Sequence, residues 1–298
     1  MINLKISGFT FVRNAFLLGY PLEESINSLL PLCDELIIAA GESDDNTMDF
    51  VKNLKNDKIR IIESKWDENL RQAGLIYSQQ TNIALAECTG DWCFYLQADE
   101  VVHERDYEKI LRDINSADKH PEIDAILFRY YHFYGSYDFI GSGRQWYRRE
   151  IRAFRNTKNV ISWGDAQGFR KNINNKISKL NALQTDSYIY HYGWVRPPKI
   201  QNLKIKTSHT YYSNDLGYEI DTKEQAKFDY NSAFELKMFT AQHPEVMNRK
   251  IERDKEWTIF FDNSKLKRKP LIVKLSDWLE AKSGVRIGEF KDFIEIKI

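Results

Sequence analysis

The chain has 298 residues, of which 42% are hydrophobic and 13% aromatic, which is enough apolar material for one large folded domain or two ordinary ones. Its 43 basic residues balance 43 acidic residues, so no overall positive field would attract nucleic acid. The three cysteines, Cys33, Cys88 and Cys93, lack the spacing of metal ligands and the even number of a disulfide framework. They predict free thiols in a reducing, cytoplasmic compartment.

The first 130 residues alternate strand-like and helix-like segments, and this rhythm predicts an α/β fold with a mostly parallel central sheet flanked by helices. Strands are expected at residues 4–12, 35–39, 59–63 and 123–130, and in the apolar run that ends at Asp99. Helices are expected from Pro21 to about Leu30 and at residues 47–55, 73–88 and 106–115.

The pattern changes after residue 130. Residues 130–147 are rich in aromatics and interrupted by glycines, which indicates an ordered excursion of the kind that lines pockets. Further strands are expected at residues 151–155 and 187–192, and mostly helical structure from Lys199 to the end.

One apolar stripe lies in this last region, formed at helical spacing by Leu271, Ile272, Leu275, Trp278 and Leu279. We expect it to pack on the core of the protein, and the alternative is contact with a membrane surface or a partner. No apolar run approaches the ~20 residues of a membrane span, so no transmembrane segment is expected and any membrane contact would be peripheral.

The segment from Gly90 to Glu100 reads as a buried strand with two acidic side chains at its carboxyl end. Oxygen ligands such as Asp99 and Glu100 suit Mg²⁺ or Mn²⁺, which carboxylates and substrate phosphates commonly hold together. The alternative is a helix start, with the aspartate as its cap.

These elements and four short motifs together resemble the nucleotide-sugar half of family 2 glycosyltransferases of the A-type, Rossmann-like fold. The motifs are FVRNA from residue 11, GESDDNT from residue 41, TGDW from residue 89 and QADE from residue 97. The resemblance covers about the first hundred residues well and the next hundred loosely. It implies a catalytic α/β domain at residues 1–200, with a donor half at about 1–105 and an acceptor half at about 106–200. A mostly helical region at 201–298 would pack on it.

The resemblance also implies site residues for a nucleotide-sugar donor. Asp99 would reach Mn²⁺ or Mg²⁺, and the late histidine His191 would be a further metal ligand. The nucleotide would lie against Thr10, Val12, Arg13, Glu42, Gln97, Ala98 and Glu100, at the carboxyl ends of the strands. Gln97 stands where the family usually has its first aspartate, and Ala40 and Gly41 stand where it commonly has a pair of aspartates.

Cations near these positions are candidates for binding the donor diphosphate, because guanidinium groups suit phosphate oxygens. They are Arg71, Arg196 and Lys199. The alternative for each is an ordinary surface charge, and the alternative for Glu42 is a solvated loop that caps the next helix. His191 could equally be a structural histidine, and His132 has no assigned role.

For the catalytic base we select Asp165, which lies between glycines and aromatics, and the alternative is that it caps a turn. The resemblance then implies a metal-dependent, inverting glycosyltransferase that moves one sugar from a nucleotide-diphosphate donor, with a UDP-sugar favoured, to a hydroxyl acceptor such as a saccharide in polysaccharide biosynthesis. The alternatives are a sugar-phosphate nucleotidyltransferase and an inactive nucleotide- or carbohydrate-binding module.

Overall fold

The computed structural model describes residues 4–212, 227–233, 235–258, 264, 266–284, 286, 288–289 and 291–297. Its strands are β1 (Ile6–Val12), β2 (Glu35–Gly41), β3 (Ile59–Ser64), β4 (Trp92–Tyr95), β5 (Glu100–Val102), β6 (Ala125–Tyr134), β7 (Phe139–Gly141), β8 (Arg149–Arg155), β9 (Val160–Trp163), β10 (Gly168–Ile173), β11 (Lys176–Trp194), β12 (Leu236–Met238) and β13 (Phe293–Ile296). Its helices are α1 (Leu22–Leu29), α2 (Thr47–Lys52), α3 (Leu75–Ala86), α4 (Tyr107–Asp118), α5 (Pro198–His209), α6 (Asn248–Thr258) and α7 (Leu271–Ser283).

The main sheet has the strand order β3-β2-β1-β4-β8-β6-β11-β10-β9. The first four strands are parallel, β8 runs antiparallel to both of its neighbours, and β6 and β11 are parallel to each other. The predicted α/β fold with a mostly parallel core is confirmed.

The central parallel strands β1, β2 and β4 are buried along almost their whole length, because helices cover both faces of the sheet. In β2, Leu36 and Ile38 belong to the core on one face, whereas Ile37 and Ala39 belong to the core on the other. The first core includes residues of α1 and α4, and the second includes residues of α3. This two-sided burial fixes the strand register and therefore the position of each strand end.

The strand before the acidic pair is shorter than predicted, because β4 ends at Tyr95 and Asp99 lies in the turn that follows. The backbone N–H of Glu100 donates to the carbonyl of Gln97 at 3.0 Å, which closes that turn. Glu100 then begins β5, which pairs with β11. The turn removes the acidic residues from the β4 ladder and directs them to the end of the sheet.

The second half contains more strand than the pattern predicted. Strand β6 continues to Tyr134 and takes in part of the aromatic excursion, β9 and β10 form an unpredicted hairpin, and β11 has 19 residues. The first residues of β11 are mostly polar and do not alternate between apolar and polar side chains as a strand usually does. They form a strand because they pair with β10 and β13. Helices α5, α6 and α7 account for most of the regular structure after residue 200, and the rest of the expected helical region lies partly outside the described residues.

The expectation that the apolar stripe of α7 packs on the core is wrong. Leu271 is 82% exposed and Trp278 is 56% exposed, and the other three members of the stripe are also exposed. The polar face of the helix is the one that meets the protein, through ion pairs with Arg144. No helix in the described part of the chain is long and apolar enough to cross a membrane.

Candidate active site

A cleft of about 820 Å³ lies at the carboxyl ends of β1 and β4, where parallel sheets of this kind bind ligands. Its wall includes seven of the predicted site residues, namely Val12, Arg13, Gln97, Ala98, Asp99, Asp165 and His191. Five others do not line it, namely Thr10, Glu42, Arg71, Glu100 and Arg196. Helix α5 and the two tyrosines after it, Tyr211 and Tyr212, close the opposite side.

Asp99 is buried at the base of the cleft beside two cations. Its carboxylate lies 3.1 Å from Lys204 Nζ and 3.9 Å from Arg196 Nη2. Burial alone would raise the pKa of Asp99, but the positive charges of Lys204 and Arg196 and the hydrogen bond from Lys204 act together against burial, and the pKa lies below its usual range. Burial also lowers the pKa of Lys204 to about 8, although Asp99 opposes that shift. Lys204 further donates to the carbonyl of Gly193 at 2.9 Å.

Two buried histidines beside Asp99 are hydrogen-bonded to each other. His132 Nε2 lies 2.7 Å from the carbonyl of Tyr147, and His132 Nδ1 lies 2.9 Å from His191 Nδ1. Burial lowers the pKa of both histidines, which favours neutral rings. Since a carbonyl only accepts, the proton of neutral His132 is on Nε2, and His191 must donate from Nδ1.

It follows that His191 Nε2 carries a lone pair, and this atom lies 3.8 Å from Asp99 Oδ1. His191 Nε2 and Asp99 Oδ1 are both acceptors, and a cation between them would satisfy both. One imidazole with its other nitrogen anchored and one carboxylate fit a divalent metal whose remaining ligands come from substrate oxygens. Among the described residues no three His, Cys, Asp or Glu side chains are arranged so that they could hold a metal ion by themselves, so the protein alone offers an incomplete shell.

Asp165 lies in the turn between β9 and β10, on the cleft wall. Tyr212 donates its hydroxyl hydrogen to Asp165 Oδ2 at 2.8 Å, which fixes the carboxylate. The next residue, Ala166, has a φ of 65°, which is unusual for a residue with a side chain and indicates a turn held by its surroundings. Part of that hold comes from Gln97, whose amide donates to the carbonyl of Ala166 at 3.4 Å.

Glu100 points away from the cleft into a fully buried ion pair. Arg152 donates to both carboxylate oxygens of Glu100, at 2.7 and 2.8 Å, and the hydroxyl of Tyr130 donates at 2.8 Å. Arg152 also donates to the carbonyl of Gln167 at 3.0 Å. Glu100 and Arg152 therefore connect the turn that carries Asp99 with the turn that carries Asp165, and this network makes Glu100 a structural residue in the fold.

The remaining predicted residues have varied surroundings. Arg13 donates to the Glu42 carbonyl at 2.9 Å and to the carboxylate of Glu68 at 2.6 Å, so Glu42 contributes its backbone while its side chain is exposed. Thr10 is buried within β1. Arg71 is exposed and donates to the Glu68 carbonyl at 2.9 Å.

The family model described as glycosyl transferase family 2 matches residues 19–178, which is more than half of the chain. The chain belongs to glycosyl transferase family 2. The resemblance drawn from its sequence motifs is confirmed, and the matched residues include Asp99 and Asp165 of the cleft.

The solved structures that resemble this chain share little sequence identity with it. S. aureus TarS 1–349 is 13% identical with a TM-score of 0.38, over 69% of this chain and 64% of that one. The complex of S. aureus TarS 1–349 with UDP-GlcNAc is 18% identical with a TM-score of 0.32, over 44% and 35%. Mannosyl-3-phosphoglycerate synthase from Rubrobacter xylanophilus is 17% identical with a TM-score of 0.31, over 48% and 44%. The chain thus spans about a third to two thirds of these proteins, and no curated protein sequence matches it.

This family 2 chain has an aromatic wall next to the position where the sequence lacks the paired aspartates. A Cβ atom added to Gly41 would lie 2.3 Å from Trp66 Nε1, so the indole occupies the space that a side chain there would need. Trp66 packs against Tyr77 and Tyr211, with ring centroids 5.9 and 5.6 Å away, and Arg13 lies 5.2 Å above its ring. An aromatic surface therefore lies against the backbone at Gly41.

Sequence reasoning missed several residues of this family 2 site. Lys204 is separated from Asp99 by 105 residues and sits on a helix with no local motif. Tyr211 and Tyr212 form a visible aromatic pair, and an aromatic pair that follows a helix was the available signal. Trp66 lies in a polar stretch after β3, where its indole was the feature to notice.

Proposed function

We propose that this chain transfers a single sugar from a nucleotide-diphosphate donor, with a UDP-sugar favoured, to a hydroxyl group of a saccharide. One observation supports this proposal above the others. Within a family 2 domain, a single cleft brings together a cation-flanked carboxylate, Asp99, and a second carboxylate held by a tyrosine, Asp165. In such a pair, Asp99 with its cations would bind the diphosphate, and Asp165 would accept the proton of the acceptor hydroxyl.

The nucleotide end of the donor would lie against the aromatic wall. A flat pyrimidine ring suits the faces of Trp66 and Tyr211, and Arg13 beside them offers donors to ribose or phosphate oxygens. Gln97 and Ala98, on the floor of the cleft, are placed to meet the ribose. In this arrangement recognition of the base depends on stacking more than on acidic side chains.

The diphosphate would lie near Asp99, where Lys204 supplies positive charge in a partly buried setting. Mn²⁺ or Mg²⁺, held by Asp99 and His191, would supply further neutralisation of the departing diphosphate when bound. His132 would position His191 by accepting its Nδ1 hydrogen, so that the Nε2 lone pair faces the metal. Arg196 is buried, and its Nη2 lies 3.9 Å from Asp99 Oδ2, so its positive charge would partly neutralise the Asp99 carboxylate.

For catalysis, Asp165 would act as the general base of an inverting transfer. The acceptor oxygen forms its bond to the anomeric carbon while its proton passes to Asp165, and the bond from that carbon to the diphosphate oxygen breaks. Trp163, two residues before Asp165, is 45% exposed and offers a face for an acceptor sugar. In this scheme residues 1–105 hold most of the donor, residues 106–200 hold the acceptor and add His191, and the region after 200 adds Lys204, Tyr211 and Tyr212.

The test is release of free nucleoside diphosphate from a panel of UDP-, GDP-, dTDP- and ADP-sugars, with and without Mn²⁺, for the wild type and Asp99→Asn. Asp57→Asn, on an exposed loop away from the cleft, is the matched control. We expect release from one donor class that depends on Mn²⁺ and Asp99. Pyrophosphate release from a nucleoside triphosphate and a sugar phosphate would instead show a nucleotidyltransferase, and binding without release would show an inactive module.

A further inference from the structure

Helix α7 is oriented with its apolar side toward solvent. On a helical wheel Leu271, Leu275 and Trp278 fall within one arc, and Ile272 and Leu279 extend it to about a third of the circumference. All five are exposed, from 36% for Leu279 to 82% for Leu271. A helix that packs on its own domain has the opposite arrangement, so this orientation calls for a partner surface.

The polar side of α7 fastens the helix to the domain. Arg144 donates to Asp277 and to Glu280, both at 3.0 Å, and to the carbonyl of Ser276 at 2.8 Å. Arg148 adds an ion pair with Glu280 at 2.6 Å. Both carboxylates of the helix, Asp277 and Glu280, are therefore paired with arginines, and these ion pairs keep the apolar face turned toward solvent.

The charged side chains that make no such ion pair, on α7 and in the segment just before it, are positive. Lys267, Arg268, Lys274 and Lys282 are exposed, and none of them has an ion pair with another residue in the described ranges of the chain. Lys282 lies 6.0 Å from the ring centroid of Trp278, at the C-terminal end of the stripe. An apolar face that contains tryptophan, borders on unpaired cations and lacks free carboxylates matches the composition of helices that lie in the surface of an anionic bilayer.

We propose that α7 docks the protein on an anionic lipid surface, with the apolar stripe inserted among the lipids and the four cations facing the headgroups. The helix is roughly 20 Å long, which is too short to cross a bilayer and long enough to lie along its surface. The inference rests on the orientation and charge of α7 and is independent of the proposed sugar transfer.

The test is co-sedimentation of the full chain with vesicles of phosphatidylcholine and phosphatidylglycerol in a two-to-one ratio, compared with vesicles of phosphatidylcholine alone. Leu275→Glu removes the centre of the stripe, and Leu271→Ser is a second variant at a more exposed position. The matched control is Ile173→Glu on β10, an apolar residue that is 47% exposed away from α7. Thermal melting and light scattering report the fold and the oligomeric state of each variant.

We expect the wild type and the control to bind the anionic vesicles equally, and binding to fall at least tenfold on neutral vesicles and in either α7 variant that melts like the wild type. The proposal is overturned if the wild type ignores anionic vesicles or if both folded α7 variants bind as it does. It is also overturned if the wild type is a dimer that Leu275→Glu converts to a monomer, because the stripe would then be a self-interface. Nucleotide affinity should be unchanged in the α7 variants, which separates this result from any failure of the proposed transfer.

Discussion

Gly193 gives a sharp test of the candidate site, because it lies where the backbone of β11 passes His191 and Asp99. A Cβ atom at this position would lie 2.3 Å from His191 Nε2, 2.5 Å from His191 Cε1 and 2.9 Å from Asp99 Oδ2. The smallest possible substitution, Gly193→Ala, therefore collides with both proposed metal ligands, whose atoms are the nearest to the added carbon.

The size of the effect follows from these distances. Carbon atoms in contact lie about 3.5 Å apart, so the imidazole must move by about 1 Å. A displacement of that size in a proposed metal ligand should reduce metal-dependent binding by about 10- to 100-fold, or roughly 1.4–2.8 kcal/mol. The carbonyl of residue 193 still accepts from Lys204, so we expect the domain to stay folded.

The assay is calorimetric titration of UDP in the presence of Mn²⁺, with thermal melting to verify the fold. Gly143→Ala is the matched control, because its Cβ would lie 3.3 Å from Glu235 Cβ, a contact that a shift of a few tenths of an ångström relieves, and its backbone is not in the left-handed region. If Gly193→Ala melts like the control and binds UDP within twofold of wild type, His191 and Asp99 do not act together on the donor.

Four further predictions test other parts of the molecule. Asp165→Asn should lower kcat by about 100-fold or more while donor affinity stays within threefold, and retained turnover would rule out this base. Removal of metal by a chelator should abolish the melting shift caused by UDP, because the described residues supply an incomplete shell; an undiminished shift would assign the diphosphate to Lys204 alone. Burial raises the pKa of Glu150 to about 7 from 4.5, so the folded state keeps a proton that the unfolded state loses. Stability from this group is complete below pH 4.5 and is lost as the pH rises through 7, by about 3 kcal/mol in total. Urea unfolding should show a lower free energy of unfolding at pH 8 than at pH 5 in the wild type. If the Glu150→Gln variant loses as much free energy of unfolding between these pH values as the wild type does, Glu150 is not the cause. Glu100→Gln should destabilise the fold by about 3–5 kcal/mol, because Arg152 is left buried without its anionic partner, and unfolding midpoints within experimental error of wild type would refute the buried pair.

The local sequence predicted the donor half of the fold well. The strands around Ile37 and Phe94 are apolar on both faces, and turn residues separate them from the helices, so short windows contain the information. The same windows located Asp99, because an acidic residue after a buried strand falls at the carboxyl end of a parallel sheet. Short windows of sequence did not predict the full length of β11, because pairing with neighbouring strands extends it beyond its own apolar pattern.

The sequence alone thus determined the family, the α/β class and the region of the cleft, since these depend on periodicity and on short motifs. The tertiary structure decided which side chains meet. His132 joins His191 because β6 and β11 pair in parallel with these two residues in register, and Lys204 reaches Asp99 because α5 folds back over the end of the sheet. It also decided that α7 presents its apolar stripe to solvent, because the ion pairs with Arg144 involve residues more than 130 positions apart. Contacts between distant segments depend on strand register and helix packing, which no local window of sequence contains.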